Sequence, residues 1–197
     1  MQKNYIYKRK ILDEILKYLK TEDIIVLHGA RQVGKTFILR WLKEYLEKNN
    51  ELTHFIDLED SRMTKILDLG VDEFIVYLKE EGYWRDKAKV YIFIDEIQYL
   101  HNPSEFLKLV ADHHKNIKLI ISGSSSFEIK SKFKDSLVGR TVNFEIFTLS
   151  FEEFLLFKNY HFDKNKKRTA KKINELKSLF ELYILYVGYP KIVLYHS

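Results

Sequence analysis

The sequence predicts an α/β protein, a five-stranded parallel sheet covered by helices on both faces. Three observations carry this. Short apolar runs of buried-strand type, such as Ile24-Ile25-Val26-Leu27 and Val90-Tyr91-Ile92-Phe93-Ile94, alternate with segments of helical periodicity. A strand–helix–strand order of this kind needs crossover connections, hence parallel strands buried on both sides. The residues with chemistry to offer, around Gly29, Asp95 and Ser124, follow strand ends, where ligands bind in such sheets.

The elements follow in order. Ile11, Leu12, Ile15, Leu16 and Leu19 recur at helical spacing, which predicts an amphipathic helix over 10–20. The run at 24–27 is the first strand and leads directly into Gly29. A second helix carries Ile38, Leu39, Leu42, Tyr45 and Leu46 on one face, and Thr53-His54-Phe55-Ile56 reads as the second strand. Phe74, Ile75 and Leu78 share a face of a helix over 71–80. The third strand, 90–94, is five β-formers ending at Asp95-Glu96. Asn102-Pro103-Ser104 is a turn before a helix that points Phe106, Leu107 and Val110 inward. Lys118-Leu119-Ile120-Ile121 is the fourth strand, closed by Ser122-Gly123-Ser124-Ser125-Ser126. A helix is then expected before the alternating fifth strand at 141–147. Beyond Ser150 the pattern turns helical, with an aromatic-rich helix over 151–158, a basic stretch at 164–168 and a longer helix over 171–186.

Composition bounds the function. Of 197 residues, 46% are hydrophobic and 31% charged, a globular balance that suits one α/β domain with a small appendage. The absence of cysteine excludes a disulfide framework and Cys-based zinc sites and fits a reducing cytoplasm. No run approaches the roughly 20 apolar residues that span a bilayer, so a cytoplasmic protein with no membrane partner is expected. A net charge of +5 raises nucleic acid as a partner, although a solvated Lys/Glu-rich surface accounts for it with fewer assumptions.

Gly29-Ala30-Arg31-Gln32-Val33-Gly34-Lys35-Thr36 fits G-x-x-x-x-G-K-[ST] between an apolar strand and a helix. The glycines permit a tight loop whose backbone N–H groups turn onto phosphate oxygens, and the following helix adds its positive end. In this reading Arg31, Gln32 and Val33 serve through their backbone, Lys35 reaches the β- and γ-phosphates, and the Thr36 hydroxyl binds Mg²⁺. Phe37 completes the nucleotide-contacting set.

Asp95 suits the task of holding Mg²⁺, and Glu96 that of a base orienting the attacking water. Such a base favours transfer to water over transfer to another acceptor, and no N-K-x-D guanine reader is present. ATP hydrolysis is therefore the expected reaction. If the fourth strand lies between the first and third, a hydroxyl at its end faces the γ-phosphate. Ser124 is the first choice for that hydroxyl, with Ser122 and Ser125 behind it; a plain Ser/Gly loop is the alternative.

These residues resemble the AAA superfamily of ATPases, and more closely the bacterial and archaeal predicted ATPases in which an AAA domain precedes a domain of unknown function. The resemblance is carried by the phosphate loop, Ile94-Asp95-Glu96-Ile97-Gln98, Ser122-Gly123-Ser124-Ser125, Leu137-Val138-Gly139-Arg140 and Leu149-Ser150-Phe151-Glu152-Glu153-Phe154. It implies a P-loop NTPase three-layer sandwich of strand order 5-1-4-3-2, with an ATP-binding domain over 1–150 and a partial C-terminal helical lid over 151–197. It also implies the roles given to Lys35, Thr36, Asp95 and Glu96. Arg140, just before the fifth strand, matches an arginine that in AAA proteins reaches the γ-phosphate of a neighbouring subunit, which would make a homo-oligomer the working form. A structural pairing with the helix above is the other reading. Gly188-Tyr189-Pro190 resembles a G-x-P element on the lids of related signal-transduction ATPases, which makes Pro190 a nucleotide contact, although Val187 stands where those relatives often have a second glycine. Tyr7 and Arg9 occupy the segment that often flanks the adenine.

The expected function is Mg-dependent ATP turnover that switches an attached domain or protein partner. A module that binds ATP with little turnover, and a DNA-dependent ATPase, are the alternatives. A C-terminal domain is expected to follow in the complete relatives, with Phe151, Phe154, Leu155 and Phe157 as a docking patch for it.

Overall fold

The computed structural model describes residues 8–86, 88–123, 137–161 and 169–195. Ser124 and its neighbours, the helix expected before the fifth strand, Tyr7 and the basic stretch at 164–168 lie outside them.

The five predicted strands form one parallel sheet: β1 (Ile24–His28), β2 (Leu52–Asp57), β3 (Val90–Asp95), β4 (Ile117–Gly123) and β5 (Thr141–Glu145). Their spatial order is β2-β3-β4-β1-β5, the order the resemblance implied. Every residue of β1, β3 and β4 is buried, as expected of central strands sandwiched between helix layers. Successive side chains point to opposite faces. Ile24, Val26, Ile92, Ile94, Leu119 and Ile121 enter one apolar cluster, while Ile25, Leu27, Tyr91, Phe93 and Ile120 enter the other.

The first face is covered by α3 (Ser61–Asp68), α4 (Val71–Glu80) and α5 (Pro103–His113) through Leu67, Phe74, Leu78, Leu107 and Val110. The second is covered by α1 (Ile11–Ile15) and α2 (Lys35–Lys48) through Leu12, Ile15, Ile38, Leu39 and Leu42. The helix expected over 10–20 is α for one turn and tightens into a 3₁₀ turn at Leu16–Tyr18. Pro103 opens α5, where a missing N–H costs nothing. Helix α3 has no counterpart in the sequence reading. Its start is marked by Asp60, whose carboxylate accepts from the Arg62 N–H at 2.9 Å.

After β5 come α6 (Phe151–Phe157), α7 (Ala170–Tyr186) and α8 (Pro190–Tyr195). Here the expected docking patch is corrected. Phe154, Leu155 and Phe157 are buried in a third cluster with Leu149 and Val193, and Phe151 packs edge-on against Phe180. These side chains are consumed holding α6, α7 and α8 together. No residue of α7 is buried, and Phe180, Ile184 and Leu185 are exposed. No described helix is long and apolar enough to cross a membrane.

Candidate functional site

The loop between β1 and α2 reverses direction through three left-handed or otherwise positive φ values, at Gly29 (146°), Gln32 (65°) and Gly34 (99°). Gly29 is demanded by proximity as well as by φ. A Cβ there would lie 2.3 Å from the Ile146 carbonyl oxygen, because the chain leaving β5 passes directly over it and Ile146 N–H donates to the His28 carbonyl at 2.7 Å. Gly34 is the N-cap of α2, so the first N–H groups of that helix are presented at the loop.

Lys35 is 5% exposed and its ammonium donates to the Gly29 and Ala30 carbonyls at 3.0 and 2.8 Å. Burial lowers its pKa from the usual value; the charges of Glu96 and Asp95 work the other way and Arg31 adds to the lowering. Lys35, Thr36, Phe37, Gln32, Gly34, Glu96 and Pro190 all line one cavity of about 340 Å³, completed by Arg9, Phe157, Lys191 and Leu194. The cavity thus has a polar floor at the loop and an apolar wall from α6 and α8.

Asp95 ends β3 and is 3% exposed. Its Oδ1 accepts from the Ser122 hydroxyl, and the same oxygen of Ser122 accepts from the Glu96 N–H at 3.3 Å. Ser122 is the β4 residue paired with Leu27 of β1, so β4 does bring a hydroxyl between the loop and the carboxylate pair. Glu96 adopts φ 58° and ψ 50°, and its carboxylate accepts from the Gln98 amide.

Arg140 stands at the other end of the sheet. Its carbonyl accepts from Ile24 N–H at 2.8 Å, and Thr141 pairs with Ile24, so the length of β1, roughly 16 Å, separates it from its own phosphate loop. Its guanidinium forms a two-point pair with Asp112 of α5, at 2.7 and 3.2 Å.

Arg9 and Glu153 were not singled out as a pair in the sequence. Arg9, 4% exposed, donates from Nε to Glu153 at 2.9 Å, from Nη1 to the Val33 carbonyl at 3.0 Å and from Nη2 to the Phe147 carbonyl at 3.0 Å. Glu153 also closes a capping box with Ser150 at the start of α6 and accepts from Lys10 N–H at 2.9 Å. Burial opposes its charge, but the Ser150 N–H, the Arg9 guanidinium and the Lys10 N–H together hold its pKa below the usual value. The S-x-x-E spacing at 150–153 was the available signal. This network ties the N-terminal segment, the phosphate loop and α6 into one unit.

The sheet order, the glycine loop against β5 and the carboxylate pair facing it define a P-loop nucleotide-binding domain. A family model described as an AAA domain matches residues 21–155, and the chain belongs to that family. An uncharacterized protein of Methanocaldococcus jannaschii is 32% identical over 207 residues, covering 98% of this chain and 44% of that protein. Another, from Haemophilus influenzae, is 26% identical over 197 residues, covering 98% and 46%. The chain spans about half the length of the curated relatives it matches. Among solved structures, C. elegans PCH-2 aligns with a TM-score of 0.53 at 15% identity, over 87% of this chain and 54% of that one, a likeness of fold.

Proposed function

We propose that the domain binds ATP with Mg²⁺ in the cavity above the phosphate loop and hydrolyses it, and that turnover moves the C-terminal helices against the sheet. The observation that carries this is the shared cavity: phosphate-loop residues Lys35 and Thr36, Glu96 and the lid residues Pro190 and Leu194 line the same space. The residues present fit the cation. A hydroxyl from Thr36 and a carboxylate from Asp95 are the hard oxygen donors Mg²⁺ takes, and Ser122 engages one Asp95 oxygen in a fixed orientation. Bound there, Mg²⁺ would neutralise charge on the transferring phosphoryl group.

The loop N–H groups and the start of α2 hold the phosphates, and Lys35 exchanges its carbonyl partners for phosphate oxygens. Glu96 accepts a proton from the water that attacks. Phe37, Phe157 and Pro190 offer an apolar seat for the base. ATP is favoured over GTP because the sequence has no N-K-x-D segment. Arg140 serves a neighbouring copy, since its own site is out of reach.

Steady-state ATP and GTP turnover, with and without Mg²⁺, tests the reading in wild type, Lys35→Ala and Glu96→Gln. The expected result is Mg-dependent ATP turnover that falls about a hundredfold or more in Glu96→Gln while ATP binding stays within a few-fold. Turnover no higher in wild type than in Glu96→Gln would remove the hydrolytic reading. Mixing Arg140→Ala with Lys35→Ala protein tests the partner copy: activity recovers if each site borrows the arginine of its neighbour.

A further inference from the structure

Glu96 is held from both ends. Its backbone N–H donates to the buried Ser122 hydroxyl at 3.3 Å, and its Oε2 accepts from the side-chain amide of Gln98. The second bond follows from the local backbone. A left-handed conformation is disfavoured for any residue but glycine, and Glu96 keeps it because the chain beyond is fixed. A 3₁₀ turn at Ile97–Tyr99 follows, closed by Tyr99 N–H on the Glu96 carbonyl at 3.1 Å and anchored by the fully buried Ile97. That turn brings the amide of residue 98 onto the carboxylate of residue 96. Glu96 lines the cavity with Lys35 and Thr36, whereas half-buried Gln98 is not part of the lining.

We propose that Gln98 is the positioning residue of the site. Its amide pins Oε2 of Glu96 and thereby assigns Oε1 to the attacking water. This rests on the reading of Glu96 as the base. A glutamate side chain has several rotatable bonds, and a proton acceptor works only within hydrogen-bond reach of its proton. One fixed oxygen removes most of that freedom. The chemistry of the donor matters as well. A neutral amide orients the carboxylate and leaves its negative charge in place, whereas a lysine or arginine at 98 would bind the charge in an ion pair and weaken the base. In the step itself, the water oxygen bonds to the γ-phosphorus and the bond to the bridging oxygen breaks with its electron pair onto ADP. The water proton passes to Oε1.

The variants that isolate the donor are Gln98→Met, of similar length without an N–H, and Gln98→Glu, which sets carboxylate against carboxylate. Each is assayed for kcat, KM, Mg-ATP affinity and thermal midpoint. The expected outcome for Gln98→Met is a fall in kcat of about tenfold with affinity within about twofold, and a larger fall for Gln98→Glu. In wild-type protein labelled with ¹⁵N, the Gln98 side-chain amide pair is identified by its loss in Gln98→Met. It is expected to shift when Glu96 is replaced in Glu96→Ala. An unchanged kcat in Gln98→Met overturns the proposal, and so does a joint loss of kcat, affinity and thermal midpoint, which marks a merely structural residue. An amide pair indifferent to Glu96→Ala also overturns it. Wild-type turnover no higher than that of Glu96→Gln defeats the hydrolytic reading instead, and the amide shift then still decides whether Gln98 sets the Glu96 side chain.

Discussion

At Gly29 two demands meet in one residue: φ of 146° and a carbonyl oxygen where a Cβ would sit. Gly29→Ala therefore has to push the Ile146 backbone off the loop, and the expected outcome is loss of ATP binding with a stability loss of about 2 kcal/mol or more, read by calorimetry and urea unfolding. Val187 presents the opposite case. It caps α7 at φ 51°, a conformation that a β-branched residue enters only under strain. Val187→Gly relieves the strain and gives back part of it as chain entropy, so the unfolding free energy should rise by about 0.5–1 kcal/mol, read as a higher urea midpoint. An unchanged or lowered midpoint would contradict the strain. The glycine of related lids thus has a physical counterpart here in the backbone of a valine. Backbone geometry was legible where a motif dictates it, as in the turn at Gly29, the helix start at Lys35 and the strand end at Asp95. A contact between segments distant in sequence, such as Ser122 on Asp95, was not legible.

Among elements, the decisive junction is the one between the N-terminal segment, the phosphate loop and α6. Arg9 and Glu153 are both almost fully buried, so removing either partner strands the other charge. Arg9→Met is expected to cost about 3–5 kcal/mol, and Arg9→Met with Glu153→Gln less than the two single changes summed, in a double-mutant cycle of urea unfolding. Additivity would mean that the pair is uncoupled. Because Arg9 also holds the Val33 carbonyl at 3.0 Å, the same variant should weaken ATP binding. Strands β1, β3 and β4 and helices α2, α4 and α5 were legible from periodicity because each buries a continuous apolar face. Helix α3 carries little sequence signal because it is eight residues long and buries only Leu67. The aromatic residues of α6 are covered by α7 and α8 but read as a docking patch in the sequence, since a hydrophobic face does not announce which neighbour covers it.

For the molecule as a whole, buried titrating groups make stability depend on pH. Burial, with a smaller effect from Lys43, lowers the His54 pKa from 6.5 to about 4, with the ring stacked on Tyr83 and bonded to Tyr77 at 2.9 Å. Between those values the unfolded chain binds the proton and the native one resists it, so stability falls as pH drops from 6.5 toward 4. The loss is roughly 2 kcal/mol after allowance for partial exposure, and the depressed Glu153 pKa extends the fall below the usual carboxylate range. Urea midpoints from pH 7 to 4 should drop in wild type and flatten in His54→Phe. Burial likewise lowers Lys118 from 10.5 to about 8, its ammonium lying on the Thr21 and Asp23 carbonyls. Here the unfolded chain binds more protons between pH 8 and 10.5, so this group adds stability as pH rises through that window, and Lys118→Met should remove the slope. The shifts of His54 and Lys118 arise from burial, and that of Glu153 from donors that include Arg9 and Lys10, far from it along the chain, so none was visible in the sequence. The sequence alone determined the layered α/β class, the tight turn from Gly29 to Thr36 and the position of Asp95-Glu96 at a strand end, because hydrophobic period and local backbone geometry are written in consecutive residues. Only the tertiary structure decided that Pro190 reaches the phosphate-loop cavity, that Arg140 faces away from its own site onto Asp112, and that Ser122 and Gln98 grip the carboxylate pair. The Gln98 contact depends on the local turn at Ile97–Tyr99; the other outcomes depend on sheet register and packing, which join groups that sequence spacing leaves unrelated.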